Sequence, residues 1–122
     1  MICGKTEMFC LEKTKIIVGE SCMFSTNVYF TTSDRHSILN KQGKRINKPA
    51  DIVIGKHVWL GYGVTILKGV EVGENCIVGA KSVLTAKHTK PNCIVAGNPA
   101  KVIKENIGWD KTRLPIEENY AG

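Results

Sequence analysis

The sequence predicts an all-β fold, a parallel β-helix wound as a prism, and three observations carry that expectation. Counting in sixes from Ile54 meets Leu60, Ile66, Val72, Val78 and Leu84. Stepping backward in the same frame skips one segment and then meets Phe30, Phe24 and Val18, so all nine positions are apolar. Four residues after each comes a second series, Cys22, Val28, Asp34, Val58, Val64, Val70, Cys76, Ser82 and His88, in which seven of nine are small or β-branched. Glycine directly follows the first series at Gly19, Gly55, Gly61, Gly73 and Gly79, where a bend is expected. A helix repeats its apolar residues at threes and fours, and a simple strand only alternates. A fixed six with glycine in register fits a chain in which each hexapeptide is a short strand and a corner. Successive coils then stack at strand spacing, roughly 4.8 Å, around a narrow core filled by both series.

The elements follow in chain order. The first sixteen residues lie outside the register. Val18 to Arg35, Ile54 to Glu71 and Val72 to Thr89 are three coils of eighteen residues. Between the first two lies a segment of the same length, residues 36–53, that lacks the apolar register. It holds Lys41, Gly43, Lys44, Arg45, Lys48 and Pro49 and reads as an exposed loop. Residues 104–122 form a short C-terminal extension. The 122 residues, 43% of them hydrophobic, suit a single domain, 1–122, small enough that burying a face against another subunit would help it.

Charge and cysteine content narrow the function. The net charge is +6, and between Lys81 and Arg113 seven basic residues face two acidic ones, so a polyanionic ligand is expected near the C-terminal third. No recognition helix or interleaved aromatic platform accompanies the charge, which argues against nucleic acid. The five cysteines contain no CxxC pair and are odd in number, which argues against a disulfide framework or zinc ribbon. Cys22 and Cys76 fall in the second series and read as small core residues. No apolar run suits a signal peptide or a transmembrane segment, so a cytoplasmic setting is expected.

The run "IGKHVWLGYGVTILKGVEVGENCIVGAKSVLTAK" followed by "NCIVAGNPAKVI" resembles the hexapeptide-repeat acyltransferases, especially the sugar O-acetyltransferases. That resemblance implies a left-handed β-helix with three hexapeptides per turn, although parallel crossovers in general prefer the right hand. It also implies a homotrimer and transfer of acetyl from acetyl-CoA to a hydroxyl of a sugar or polysaccharide. In the family, a histidine at the mouth of the protruding loop is the general base, a role that passes to His36 of "SDRHSI". An imidazole of ordinary pKa is mostly neutral at pH 7 and can still accept a proton.

Asp34 lies two residues earlier, on the same face of an extended segment. It could orient the imidazole, or it could simply form the turn. Ser33 is expected beside the acceptor, and nothing around it suggests a covalent acyl-enzyme. Trp59, expected to point outward from a corner, resembles the tryptophan of "VWIG" that lines the family's acceptor site. Gly61, Ala80, Ser82 and Thr85 match positions along the pantetheine arm of CoA, and Tyr62, where other members often have a small residue, is expected to narrow or reshape that cofactor channel. Lys87, Lys101 and Lys104 are the corresponding candidates for its phosphates. The same prism serves γ-class carbonic anhydrases, which bind zinc with three histidines, two of them close in sequence. His36, His57 and His88 are 21 and 31 residues apart, so no metal is expected. Alternatives are an acetyltransferase for an amino sugar, serine or an antibiotic, and a non-catalytic scaffold that keeps only the prism.

Overall fold

The computed structural model describes residues 1–117 and contains twelve strands. They are β1 (Thr6–Phe9), β2 (Ile16–Val18), β3 (Met23–Phe24), β4 (Val28–Thr31), β5 (Ile52–Ile54), β6 (Trp59–Leu60), β7 (Thr65–Ile66), β8 (Glu71–Val72), β9 (Ile77–Val78), β10 (Val83–Leu84), β11 (Ile94–Gly97) and β12 (Ala100–Lys104). Three sheets form the faces of a triangular prism. The first is β1-β4-β7-β10, the second β12-β11-β9-β6-β3 and the third β2-β5-β8. From β2 to β10 the strands visit third, second and first sheet in constant rotation. Every strand pair is parallel except β11 with β12, which turns back as an antiparallel hairpin.

Register confirms the period. Thr65 pairs with Val83, Trp59 with Ile77 and Val53 with Glu71, each a step of eighteen residues. From Phe24 to Leu84 all of the first series is buried. In the second series Val28, Val58, Val64, Val70, Cys76 and Ser82 are buried with Cys22, while Asp34 is exposed. Val18 is 38% exposed because β2 lies at the open edge of its sheet. Among the described residues no helix is long and apolar enough to cross a membrane.

Three sequence expectations need correction. The N-terminal residues do join the stack: β1 lies parallel to β4, with Met8 opposite Phe30, and β2 lies parallel to β5. The apolar residues of β1 miss the frame of six because the coil is interrupted between β1 and β2, so that Met8 pairs with a residue 22 positions on rather than eighteen. Trp59 stands on strand β6 rather than at a corner, and points outward between buried Val58 and Leu60. The corner is Lys56–His57. The loop is shorter than expected at its far end, since β5 begins at Ile52. Of the expected extension 104–122, residues 118–122 lie outside the described residues.

The glycines also serve a different purpose from the bend. After Ile54 the left-handed φ falls at His57 (52°), three residues on, whereas a Cβ on Gly55 would lie 2.9 Å from the Glu74 amide nitrogen and 3.0 Å from the Val72 oxygen. Glycine is required there because the next coil is too close for a side chain. Gly55→Ala is expected to destabilise the protein by about 1–3 kcal/mol in urea unfolding, as for other overpacked sites. Lys56→Ala, at the exposed neighbouring position, should shift stability by no more than about 0.5 kcal/mol. Equal midpoints for the two variants would show that coil spacing does not dictate the glycine.

Candidate active site

The loop that breaks the prism leaves the first sheet just after β4 and rejoins the third at β5. Thr31, Thr32 and Ser33 remain buried, and the chain emerges at Asp34, Arg35 and His36, all exposed. The loop then folds on itself: Leu39 bridges Arg45, the Asn40 amide donates to the Lys44 oxygen, and the Ile46 amide to the Ile38 oxygen.

Two ion pairs brace this excursion. On one side Lys68 Nζ lies 2.6 Å from Asp34 Oδ2, and the Asn47 amide nitrogen donates to the same oxygen at 2.9 Å. These donors hold the Asp34 carboxyl below its ordinary pKa, Lys68 most strongly. On the other side both Arg45 Nη atoms donate to Glu12, one of them at 2.8 Å to Oε2, and the Ser33 hydroxyl donates to that oxygen too. Arg45 first, and Ser33 second, bring the Glu12 pKa from 4.5 down to about 2.

The predicted residues separate into distinct places. His36 is exposed at the foot of the loop, with its carbonyl accepting from Asn47 Nδ2 at 2.8 Å. Asp34 thus reaches His36 through Asn47 and the main chain. Ser33 is 1% exposed and its hydroxyl is committed within the chain, donating to Glu12 and accepting from the Arg35 amide at 2.9 Å. Trp59 lies on another face, in register with Met23 and Ile77, and its indole nitrogen is buried without a hydrogen-bond partner among the described residues. Trp109 packs against it at 5.9 Å between ring centroids, and stacks on His57 at 3.8 Å and 6°. A reciprocal bond, from Trp109 Nε1 to the His57 oxygen at 2.8 Å, ties this C-terminal segment across the coils. Trp109 was not foreseen, since it lies outside the repeat.

Gly61, Tyr62, Ala80 and Ser82 gather along the edge between the second and first sheets. The Lys81 amide donates to the Tyr62 oxygen at 2.7 Å, and Ser82 Oγ accepts from the Gly97 amide at 3.1 Å. A Cβ on Gly61 would lie 2.8 Å from the Ala80 nitrogen, so this edge stays narrow and backbone-lined. Lys81 Nζ sits 4.8 Å over the Tyr62 ring, a lysine on this edge that entered the sequence analysis only as part of the basic C-terminal third. Lys101 and Lys104 are exposed on β12, with Lys101 opposite Ala96. Thr85 is exposed beyond β10. Lys87 lies at the edge between the first and third sheets and is paired with Glu71 at 2.8 Å, so the structure does not bring it to the Gly61–Ala80 edge. Among the described residues no three His, Cys, Asp or Glu side chains are grouped as a metal would need.

Comparison with known proteins places this arrangement. The description "Bacterial transferase hexapeptide (six repeats)" matches residues 51–86. The chain belongs to the hexapeptide-repeat transferase family. It is 45% identical over 109 residues to a polysialic acid O-acetyltransferase of Neisseria meningitidis, covering 88% of this chain and 51% of that protein. The polysialic acid O-acetyltransferase of Escherichia coli O1:K1 is 42% identical over 102 residues, covering 83% of this chain and 33% of its own length. The galactoside O-acetyltransferase of Escherichia coli K12 is 36% identical over 98 residues, 79% of this chain and 47% of that one. A crystal structure of a polysialic acid O-acetyltransferase superposes with a TM-score of 0.86 at 42% identity, covering 93% of this chain and 56% of the other. The chain spans between a third and about half of the curated relatives it matches. The prism is the left-handed β-helix of this family.

The braces make the loop sensitive to acid. Glu12 is depressed, so its contribution is present above about pH 4.5 and is lost as pH falls toward about 2. Pepsin cleavage within residues 36–51 tests this. The rate for Glu12→Gln divided by that for the unmodified protein should exceed one at pH 4.5 and approach one near pH 2. A ratio constant across that window would show that Glu12 does not hold the loop.

Proposed function

We propose that the protein is an acetyl-CoA-dependent O-acetyltransferase acting on a hydroxyl of a sugar or polysaccharide, with His36 as general base. The observation that carries the reading is 42–45% identity to polysialic acid O-acetyltransferases across more than four-fifths of the chain, together with a histidine exposed where the loop leaves the prism. His36 takes the proton of the acceptor hydroxyl. The oxygen attacks the thioester carbon, the carbon–sulfur bond breaks, and the imidazolium returns its proton to the leaving thiolate.

The Gly61–Ala80 edge suits the pantetheine arm, because small residues leave backbone groups within reach. Exposed Lys101 and Lys104, with Lys81, suit the phosphates. We assign the reaction to the cytoplasm, in keeping with five free cysteines. A small galactoside-like acceptor is the second reading, favoured by the 36% identity to a galactoside O-acetyltransferase. Thiol release from acetyl-CoA against polysialic acid, galactosides, amino sugars and serine separates the two.

Assembly enters the proposal through Trp59. His36 leaves the first sheet and Trp59 stands on the second, so one prism does not present both to one acceptor. A C3 trimer would set the loop of one subunit against the Trp59 face of the next. Light scattering at micromolar concentration should give three times the monomer mass, and a monomer there would contradict the assembly.

Replacing His36 by Ala should lower kcat by about 10²- to 10⁴-fold while acetyl-CoA binding stays nearly constant. Near-normal turnover on a true acceptor would remove His36 from the mechanism. Lys101→Ala should weaken acetyl-CoA by about tenfold and dephospho-CoA by less. Equal losses would show that Lys101 does not contact the 3′-phosphate.

A further inference from the structure

We infer that Asn47 is a positioning residue for His36, the point from which the catalytic end of the loop is suspended. The inference rests on the reading of His36 as base. Asn47 is 7% exposed although the residues around the loop tip are open to solvent. A side-chain amide offers two N–H donors and two acceptor lone pairs. All four are used: Nδ2 donates to Asp34 Oδ2 at 2.9 Å and to the His36 carbonyl at 2.8 Å, while Oδ1 accepts from the Ile38 amide at 2.9 Å and Arg45 Nε at 3.0 Å. Turning the amide over would set oxygen against a carboxylate and a carbonyl, and NH₂ against two donors. The orientation is therefore determined by its partners.

The three partners at 34, 36 and 38 are alternate residues of the segment that carries His36. One side chain thus grips the main chain at the proposed base and two residues after it, and the Asp34 carboxylate two residues before it. The grip is anchored at both ends by charge, through Asp34 to Lys68 on the prism and through Arg45 to Glu12 in the N-terminal segment. The loop tip has its own bonds, Leu39 with Arg45 and Ile46 with Ile38, and does not need Asn47 to fold back. What Asn47 adds is the attachment of that tip to residues 34–38, and so the place from which the imidazole meets an acceptor. An aspartate of the same shape would supply no N–H and would put a second carboxylate against Asp34.

The test compares Asn47→Ala, Asn47→Asp, His36→Ala and the double variant Asn47→Ala/His36→Ala, with thermal midpoints confirming folding. Turnover is read as thiol release from acetyl-CoA with polysialic acid, and loop geometry as hydrogen exchange at the Ile38 amide, a readout independent of acceptor. The expected result is a roughly 10- to 100-fold fall in kcat for Asn47→Ala with KM for acetyl-CoA within about twofold, faster exchange at Ile38, and no recovery in Asn47→Asp. In the double variant Asn47→Ala should add nothing further, because a positioning residue acts only through the group it positions. Unchanged exchange at Ile38, an unchanged kcat, or an equal loss with His36 already absent would each overturn the inference. A fully active His36→Ala would instead refute the base, which is a separate failure.

Discussion

Everything in this molecule depends on the hydrogen-bonded stacking of one coil on the next. The Gly55 amide donates to the Val72 oxygen at 2.9 Å, Trp59 to Cys76 at 3.0 Å, Gly61 to Val78 at 2.9 Å and Thr65 to Ser82 at 2.9 Å, one face after another. Because each coil must lie a strand spacing from its neighbours, the interior admits only one layer of side chains per corner. That is why Val58, Val64 and Val70 are fully buried in the same coil as Leu60 and Ile66, and why a two-residue strand suffices for each face.

The same stacking constrains chemistry. Inward positions are spent on the core, and outward positions on a flat sheet stand apart from one another. Trp59, Met23 and Ile77 share one outer stripe without forming a cleft by themselves. A base that must approach an acceptor from the side needs backbone that has left the ladder. The loop after β4 supplies it, and its cost in lost ladder bonds is offset by the two ion pairs and by Asn47.

The core was legible in the sequence because its cause is periodic: each side chain in the two series meets the same neighbours one coil away. Strand β1 was not, because it pairs with β4 across a shift of 22 residues, Glu7 with Tyr29, rather than the regular eighteen. Glu12, Asn47 and Lys68 were equally hidden. They meet from three separate segments, and no spacing along the chain announces a contact between residues 12 and 45. His36 was visible only because a known family carries a histidine there. Trp109 gave no signal, since its partner His57 is 52 residues away on a corner whose role in the repeat is conformational.

Rigidity and reach are thus divided between parts of one small chain. The prism holds Trp59 and the Gly61–Ala80 edge at spacings that cannot drift, since moving one coil would break bonds to two others. Side chains at 34, 45, 47 and 68 brace the loop that carries His36, and these can be retuned without disturbing the ladder. On the assignment proposed above, acceptor choice is set by the braced loop and by whatever face is brought against it, while the donor meets an edge built from backbone. On that basis the family can keep one acetyl donor and vary the acceptor, and the residues to compare between members are those that hold the loop rather than those that build the prism.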